Sequence, residues 1–127
     1  MAQQSRVEIE LLRDIKEYGR KAQAFVSGNS LVSFLKDEKC QFAVFHCIEV
    51  MGEAASKLPK KFQTQHSNIQ WRHIIGMRNV LIHDYFEINA EMVWETVHQD
   101  IPQLVEHLCI IEEELRETLE EDHGSRP

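Results

Sequence analysis

The sequence predicts an all-α protein, folded as an antiparallel bundle of four main helices with short additional helices. Apolar residues recur at steps of three and four through long stretches of the chain, which is the spacing of one face of an α-helix. No stretch alternates between apolar and polar residues as a half-buried strand does, and the chain contains no Asn-Gly or Asp-Gly hairpin turn. Segments rich in serine, glycine, asparagine or proline separate the periodic stretches, as expected for the connections of a helical bundle.

The first predicted helix begins at a capping box formed by Ser5 and Glu8 and ends near Val26. Residues 27–30, Ser-Gly-Asn-Ser, supply the turn that ends it, and residues 31–35 follow as a short helical turn. The apolar stripe of the first helix consists of Val7, Leu11, Ile15, Tyr18, Ala22 and Phe25.

A second long helix is predicted from about Glu38 to Leu58, with Asp37 as its cap. Pro59 ends this helix or begins the next turn, and residues 60–66 form a short polar element. The apolar stripe of the second helix consists of Val44, Cys47, Ile48, Met51, Ala55 and Leu58.

The third helix is predicted to run from about Gln70 into residues 83–84. Asn89 can cap a fourth helix, whose apolar stripe stays in phase through Pro102. Either one helix kinks at the proline, or Asp100 caps a collinear successor. The stripe consists of Val93, Val97, Ile101, Leu104, Leu108, Ile111 and Leu115.

A chain of 127 residues fits a single domain, which we assign to residues 1–122, with residues 123–127 as a frayed tail. No apolar run approaches the roughly 20 residues that span a bilayer, and the N-terminal segment is charged and amphipathic rather than apolar. Three cysteines cannot all pair within one chain, so we expect thiols in a reducing compartment. These features predict a cytoplasmic protein with no membrane partner.

The net charge of −7 is unevenly distributed along the chain. Residues 1–83 contain 12 Lys and Arg against 8 Asp and Glu, whereas residues 84–127 contain 2 against 13. The total argues against non-specific binding to nucleic acid, but the distribution leaves room for a positive groove on the first part of the chain.

Reactive and phosphate-binding side chains are concentrated in residues 78–85, Arg-Asn-Val-Leu-Ile-His-Asp-Tyr, at the end of the third predicted helix. Asn79 and His83 lie within about 40° of each other around the helix axis, whereas Arg78 and His83 are separated by roughly 140°. Arg78 and His83 can converge if the helix end unwinds, if the guanidinium swings over, or if the site lies between two chains. Tyr85 follows in the exit turn.

Arg78, Asn79 and His83 suit phosphoryl transfer without a metal. An imidazole can move a proton near neutral pH, a guanidinium can bind two phosphate oxygens, and an amide can orient either group. The structural alternative is that Arg78 pairs with an acidic residue and His83 stabilises the C-terminus of its helix. Glu53 on the second helix can orient Arg78 or His83, or it can form an i,i+4 ion pair with Lys57.

Metal-binding patterns in the sequence are weak. Residues 95–98, Glu-Thr-Val-His, have the spacing of one ligand pair of a di-iron bundle, but such a site also needs inward glutamates on partner helices. Zinc-ligand spacing and glycine-rich phosphate loops are absent. No metal ligand and no cofactor are therefore predicted.

Three separated blocks of the chain carry a resemblance to a known family. The longest is residues 71–86, Trp-Arg-His-Ile-Ile-Gly-Met-Arg-Asn-Val-Leu-Ile-His-Asp-Tyr-Phe. The others are residues 51–55, Met-Gly-Glu-Ala-Ala, and residues 93–104, which begin Val-Trp-Glu-Thr-Val and end Ile-Pro-Gln-Leu. In order and spacing these blocks resemble the HepT-like family of the HEPN superfamily, and the resemblance extends from about Ile9 to Leu115.

The resemblance implies a four-helix HEPN-type bundle that forms a homodimer and acts as a metal-independent endoribonuclease, the toxin of a toxin–antitoxin pair. The family motif, Arg-x4-His-x-Tyr, falls on Arg78, His83 and Tyr85. The implied partners are an RNA substrate and a minimal nucleotidyltransferase antitoxin, which transfers AMP to Tyr85 and silences the nuclease. Two alternatives are a nucleotide- or substrate-binding partner subunit of a nucleotidyltransferase, without catalytic activity, and an all-α dimerisation protein.

Overall fold

The computed structural model of the protein describes residues 2–124, apart from the side chains of Ala2, Tyr85 and residues 122–124. This part of the chain is almost entirely helical and contains no β-strand. Its helices are α1 (Ala2–Val26), α2 (Leu31–Leu35), α3 (Glu38–Lys57), α4 (Lys60–Gln65), α5 (Trp71–His83), α6 (Ala90–Glu95) and α7 (Ile101–Gly124). The predicted all-α bundle is confirmed, with α1, α3, α5 and the α6–α7 segment as its four main helices.

Helix α3 packs against both α1 and α5, and α7 packs against α1. Helices α1 and α3 run antiparallel, as two contacts at different levels show. The ring centroids of Tyr18 and His46 are 6.1 Å apart, and nearer the connection the Cys40 thiol donates to the Phe25 carbonyl oxygen at 3.3 Å. Helix α3, which carries Glu53, is therefore held between α1 and α5.

A buried ion pair joins α1 to α7. Lys16 Nζ lies 2.9 Å from Glu112 Oε2, and both side chains are almost completely covered. Burial raises the pKa of the Glu112 carboxyl, but the hydrogen bond and charge of Lys16, helped by Arg116, outweigh burial and hold that pKa below its usual value. With the contact between Arg20 Nη2 and Cys109 Sγ at 3.5 Å, the pair fixes the register of two antiparallel helices.

The apolar stripes predicted for α3 and for the α6–α7 segment form the core of the bundle. Every member of the α3 stripe is buried, and the members of the α6–α7 stripe are buried except for Leu115, which is half-buried. Phe34 of α2, Phe62 of α4 and Trp71 of α5 belong to the same cluster. The short helices therefore cover the ends of a core that the long helices build.

The predicted start of α1 is wrong. The helix already includes Ala2, so Ser5 lies inside it and does not cap it. The Glu8 carboxylate accepts a hydrogen bond from the Gln4 amide at 3.3 Å instead of reaching back to the backbone of Ser5. Residues 2–4 are alanine and two glutamines, which favour helix, so the helix continues past the capping signal.

The apolar stripe predicted for α1 is wrong at both ends. Val7 and Phe25 are 47% and 44% exposed, whereas Ile9, Leu12 and Val26 are buried. Apolar residues occupy two overlapping rows on this helix, and α1 contacts both α3 and α7. The row that faces between these two helices is the buried one.

The connections follow the predicted turn chemistry. Gly28 has a φ of 83°, in the left-handed region that glycine adopts without strain. Asp37 caps α3 by accepting a hydrogen bond from the N–H of Cys40 at 3.0 Å. Asn89 caps α6 in the same way. These predicted caps are confirmed.

The chain passes through Pro102 as one helical segment. Between α6 and α7 the helix widens into a π-helical turn at Thr96–Asp100, and the N–H of Ile101 donates to the carbonyl oxygen of Thr96. Proline has no N–H to donate to the preceding turn, and the wider turn directly before it accommodates the missing bond. Of the two predicted alternatives, the structure corresponds to one irregular helix rather than to a successor capped by Asp100.

Of the tail predicted at residues 123–127, the first two residues belong to α7, and residues 125–127 lie outside the described part of the chain. None of the described helices combines the length and the apolar composition required to cross a membrane.

Helices α3 and α5 approach closely at Gly52. A Cβ atom added there would overlap the Cβ of Arg78, and it would lie 2.8 Å from the Cγ of Arg78 and 3.0 Å from the carbonyl oxygen of Ile74. The stem of Arg78 therefore lies directly on the backbone of α3, where only glycine leaves room for it. This contact sets the separation of the two helices that carry the predicted site.

Replacing Gly52 with alanine is expected to lower the free energy of unfolding by about 1–3 kcal/mol, because the added methyl group must push α5 away from α3. Gly76→Ala on α5 is the matched control, since a Cβ at Gly76 would meet no atom within 4 Å. That control should gain up to about 1 kcal/mol from helix propensity. Chemical denaturation measures both changes. A Gly52→Ala protein at least as stable as Gly76→Ala would contradict the close contact.

Candidate active site

The C-terminal half of α5 carries most of the predicted site residues. Arg78, Asn79 and His83 lie on this helix, which ends at His83 as predicted. Tyr85 opens a 3-10 turn, Tyr85–Glu87, and its side chain lies outside the described part of the structure. The helix end thus supplies a cation, an amide and an imidazole within two turns.

The guanidinium of Arg78 is held by two neighbours. Its Nη2 donates to Oε2 of Glu53 at 2.8 Å, and its Nη1 donates to Oδ1 of Asn79 at 2.9 Å. Only 26% of the Arg78 side chain is exposed, and no described residue accepts a hydrogen bond from its buried Nε. The charge-assisted bond to Glu53 fixes the orientation of the planar group.

Asn79 draws the guanidinium around α5 toward the face that carries His83. Successive residues of a helix point about 100° apart, so Asn79 lies between Arg78 and His83 around the axis. The bond from Nη1 to Asn79 therefore turns the end of the long side chain in the direction of His83. This sideways swing is one of the ways in which the sequence predicted that the two residues approach.

His83 is exposed and forms no hydrogen bond with any side chain that the structure describes. His83 is the last residue of α5. An exposed imidazole in this position is accessible to a ligand and able to exchange a proton with it. The structure therefore brings Arg78, Asn79 and Glu53 together and leaves His83 open on the following turn.

Both predicted interpretations of Glu53 apply. Its Oε2 binds Arg78, and its Oε1 lies 3.8 Å from Nζ of Lys57, one helical turn away. The Lys57 side chain is 62% exposed, so that longer ion pair contributes little to stability. The short bond to the half-buried guanidinium is the one that positions a group.

Sequence reasoning missed Gly52 as a determinant of this site. Its signal was present, since an isolated glycine in a helical stretch often marks a close packing contact. Gly52 directly precedes Glu53, so the residue that admits the Arg78 stem and the residue that binds its guanidinium are adjacent.

Apart from the residues at the end of α5, the structure has a concave feature between α5 and α7, which the sequence did not predict. It is a cavity of about 140 Å³ with Ile48, Met51 and Leu104 among its lining residues. His73 Nε2 and Asp100 Oδ2 also line it and lie 3.2 Å apart. Seven of its fourteen lining residues are polar, and the contact between His73 and Asp100 links α5 to the π-helical turn.

Histidine, cysteine and carboxylate side chains form no group of three or more that is suited to a metal ion among the residues described. Within the 95–98 pair, His98 donates from Nδ1 to the carbonyl oxygen of Trp94 at 2.8 Å. Its ring centroid lies 4.0 Å from that of Trp94. The imidazole of this pair is therefore engaged within its own helical segment.

Three relatives illustrate the similarity to known proteins. A "Probable ribonuclease HepT" of Thermococcus cleftensis is 40% identical over 93 residues, which cover 73% of this chain and 84% of the relative. A "Putative RNase" of Caldanaerobacter subterraneus subsp. tengcongensis is 43% identical over 79 residues, covering 62% and 70%. A "Putative RNase" of Methanocaldococcus jannaschii is 35% identical over 114 residues, covering 90% and 92%. No solved structure shows a significant match.

The family model described as "Ribonuclease HepT-like" matches residues 15–111. This range includes the whole of α3 and α5, and with them the contact at Gly52 and the residues from Glu53 to His83. The chain therefore belongs to the HepT-like ribonuclease family, as its three sequence blocks indicated.

Proposed function

We propose that the protein is a metal-independent endoribonuclease that acts as the toxin of a toxin–antitoxin pair. The observation that carries this proposal is the arrangement at the end of α5, where Glu53 and Asn79 orient the Arg78 guanidinium and His83 is exposed on the following turn. Membership of the HepT-like family and the ribonuclease names of the relatives support RNA as the substrate.

His83 acts on the ribose in this mechanism. As a general base, the neutral imidazole takes the proton of a 2′-hydroxyl while the 2′-oxygen attacks the adjacent phosphorus. The bond between phosphorus and the 5′-oxygen then breaks, which leaves a 2′,3′-cyclic phosphate on one product. The departing 5′-oxygen takes the proton back from the imidazolium and becomes a 5′-hydroxyl.

Arg78 stabilises the negative charge that develops on the phosphoryl oxygens. Glu53 engages Nη2 and Asn79 engages Nη1, so the remaining N–H of each of these two terminal nitrogens has a fixed orientation, while Nε is buried. Donors that are already oriented stabilise a transition state without rearranging during the reaction. Glu53 is thus a positioning residue. Arg78 and His83 contact the reacting groups, and Asn79 positions these groups.

Homodimerisation is part of the proposal. Ile82 lies on the flank of α5 that carries Arg78, about 100° from His83 around the axis, and is 46% exposed. Apolar side chains next to a functional site favour burial against another protein surface, and a second copy of the chain supplies one by symmetry. Two bundles give RNA a wider cleft than a single small bundle offers.

The proposed antitoxin is a minimal nucleotidyltransferase that silences the nuclease by transferring AMP to Tyr85. Tyr85 follows His83 by two residues, at the start of the turn after α5. The phosphate that links AMP to the tyrosine is an anion, and the guanidinium of Arg78 is able to donate hydrogen bonds to its oxygens. The attached nucleotide therefore occupies the space that the RNA phosphate requires.

A non-catalytic binding subunit of a nucleotidyltransferase is the second candidate. The pairing of Arg78 with Glu53 favours it, because a guanidinium that is already neutralised stabilises a transition state less strongly yet still orients a nucleotide phosphate. This candidate predicts affinity for nucleotides and no turnover of RNA, so a cleavage assay separates the two.

Changing His83 to alanine is expected to reduce RNA cleavage by about 100-fold or more, the usual contribution of a general base. Purified wild-type and variant proteins are compared on single-stranded RNA in the presence of EDTA, and mass spectrometry identifies the cyclic phosphate end. His46→Ala is the control, since His46 is also exposed but lies on α3. Equal cleavage by wild type and His83→Ala overturns the role given to His83.

Changing Glu53 to glutamine is expected to lower kcat by about tenfold with little change in KM, because a charge-assisted hydrogen bond contributes roughly 1.5 kcal/mol or more. Lys57→Gln is the matched control, as it breaks the other ion pair of Glu53 without touching Arg78. Its kcat should remain within about twofold of wild type. Unchanged kcat in both variants shows that Glu53 does not position Arg78 for catalysis.

Co-expression with the nucleotidyltransferase is expected to add one or more AMP units to the protein and to abolish RNA cleavage. Intact-mass spectrometry should show the gain in wild type and in Tyr18→Phe but not in Tyr85→Phe. Tyr18 is a suitable control because the chain contains only 2 tyrosines. AMP attached to Tyr85→Phe contradicts the modification site.

A further inference from the structure

The stretch of sequence that ends at His83 contains a long segment without acidic residues. From Ala54 to His83 there is no aspartate or glutamate, although the whole protein has a net charge of −7. The same region contains Lys60, Lys61 and Arg72, and none of these three cations pairs with a described carboxylate. Unpaired cations are the groups that neutralise RNA phosphates, since they release bound counterions on contact.

Helical spacing places one of these cations on the same face of α5 as His83. Arg72, Gly76, Asn79 and His83 lie within about 60° of one another around the axis at 100° per residue. Arg72, Asn79 and His83 are exposed, and the buried Leu81 lies on the opposite side of the helix. These residues form the outward face of α5, along which Arg72 and His83 are about 16 Å apart.

Gly76 leaves the middle of the outward face open. A Cβ atom added there would meet no other atom within 4 Å. Between Arg72 and Asn79 the surface is therefore bare backbone, with space above it for a chain to lie close to the helix.

Beyond Arg72 the outward face continues into a groove between α4 and α5. Lys60, Thr64, Ser67 and Gln70 are among the residues that line it, and none of its lining residues is a carboxylate. Hydroxyl, amide and ammonium groups are the donors that bind phosphate and sugar oxygens. We call this surface the α4–α5 groove.

We propose that a single RNA strand lies along the outward face of α5 and enters the α4–α5 groove, where Arg72 and Lys60 bind phosphates a few nucleotides from the one cleaved at His83. The proposal rests on RNA being the substrate and adds where the strand binds. Gly76 leaves space for the sugar–phosphate backbone between the two ends. A single strand fits because the surface is one helix wide and its contacts are to backbone oxygens rather than to base edges.

Two of the carboxylates around this surface are engaged, and a third, the exposed Asp84, directly follows His83 at the end of α5 opposite to Arg72. Glu53 is bound by Arg78 and Lys57, and Asp100 lies 3.2 Å from His73. Arg72 is therefore a cation on the outward face of α5 that forms no ion pair with a described acidic group.

Binding is tested with a fluorescently labelled single-stranded RNA on proteins that carry His83→Ala, so that the RNA stays intact. Adding Arg72→Gln and Lys60→Gln should weaken binding about tenfold and reduce the slope of log affinity against log salt by about 0.7 for each lost phosphate contact. Arg6→Gln with Lys39→Gln is the matched control, because both residues are exposed and lie on α1 and α3. Unchanged affinity and salt slope in the Arg72 and Lys60 variant overturn the proposal.

Substitutions at Gly76 provide a second test of the strand path, which does not depend on removing a cation. Gly76→Glu and Gly76→Gln add side chains of the same size, whose Cβ atom meets no other atom within 4 Å in the folded protein. Both should obstruct the strand, and the glutamate should weaken binding further through repulsion of phosphate. RNA affinity equal to that of the parent protein in both variants overturns the path over α5.

Cleavage assays separate this proposal from the proposed function. If wild type cleaves RNA through His83 and the Arg72 and Lys60 variant cleaves a long RNA equally well, the strand path alone is wrong. If the variant loses more kcat/KM on a long RNA than on a dinucleotide that cannot reach Arg72, the path is supported. If wild type neither binds nor cleaves RNA, the proposed function and the path fail together.

Discussion

The site depends on the contact between α3 and α5 at Gly52. Because this residue has no side chain, the stem of Arg78 lies on the backbone of α3, and the next residue of α3, Glu53, reaches the guanidinium at 2.8 Å. A larger residue would separate the helices and lengthen that bond together with the packing around it. Helix α3 is in turn fixed by its buried stripe, so the orientation of the half-buried Arg78 guanidinium is set by the hydrophobic core.

Helix α5 combines a packed side with an open one. Leu81 is buried, and Arg78 leaves the packed side only through its guanidinium, which Asn79 turns toward the outward face. The helix then ends at His83, so the imidazole lies beyond the packed region and stays accessible. In the proposed mechanism, the guanidinium held by Glu53 and Asn79 binds the phosphate and the accessible imidazole transfers the proton.

The parts of the fold that were predicted from the sequence are those in which a helix has one continuous apolar row rather than two overlapping rows. The stripes of α3 and of the α6–α7 segment were predicted correctly for this reason, and so were the caps whose side chains bond within their own turn. The stripe of α1 was not predicted correctly, because contacts with two neighbours, α3 and α7, determine which of its apolar rows is buried. The direction of the Arg78 side chain also depends on another helix, so spacing along α5 left Arg78 and His83 apart while the structure turns one toward the other.

Local charge, rather than the net charge of −7, governs what the outward face of α5 can bind. The acidic excess lies in residues 84–127, with 13 Asp and Glu against 2 Lys and Arg, and much of it is on α7. Helix α7 packs against α1 and faces α5 across the cavity at His73, but its acidic residues lie mainly from Glu112 onward, beyond the stretch that lines this cavity. Packed helices are about 8–10 Å apart, which is comparable to the Debye length of about 8 Å at physiological salt. Salt therefore weakens repulsion from acidic residues on other helices, and the cations of residues 54–83 contribute most to the potential that an approaching RNA strand meets near Arg72.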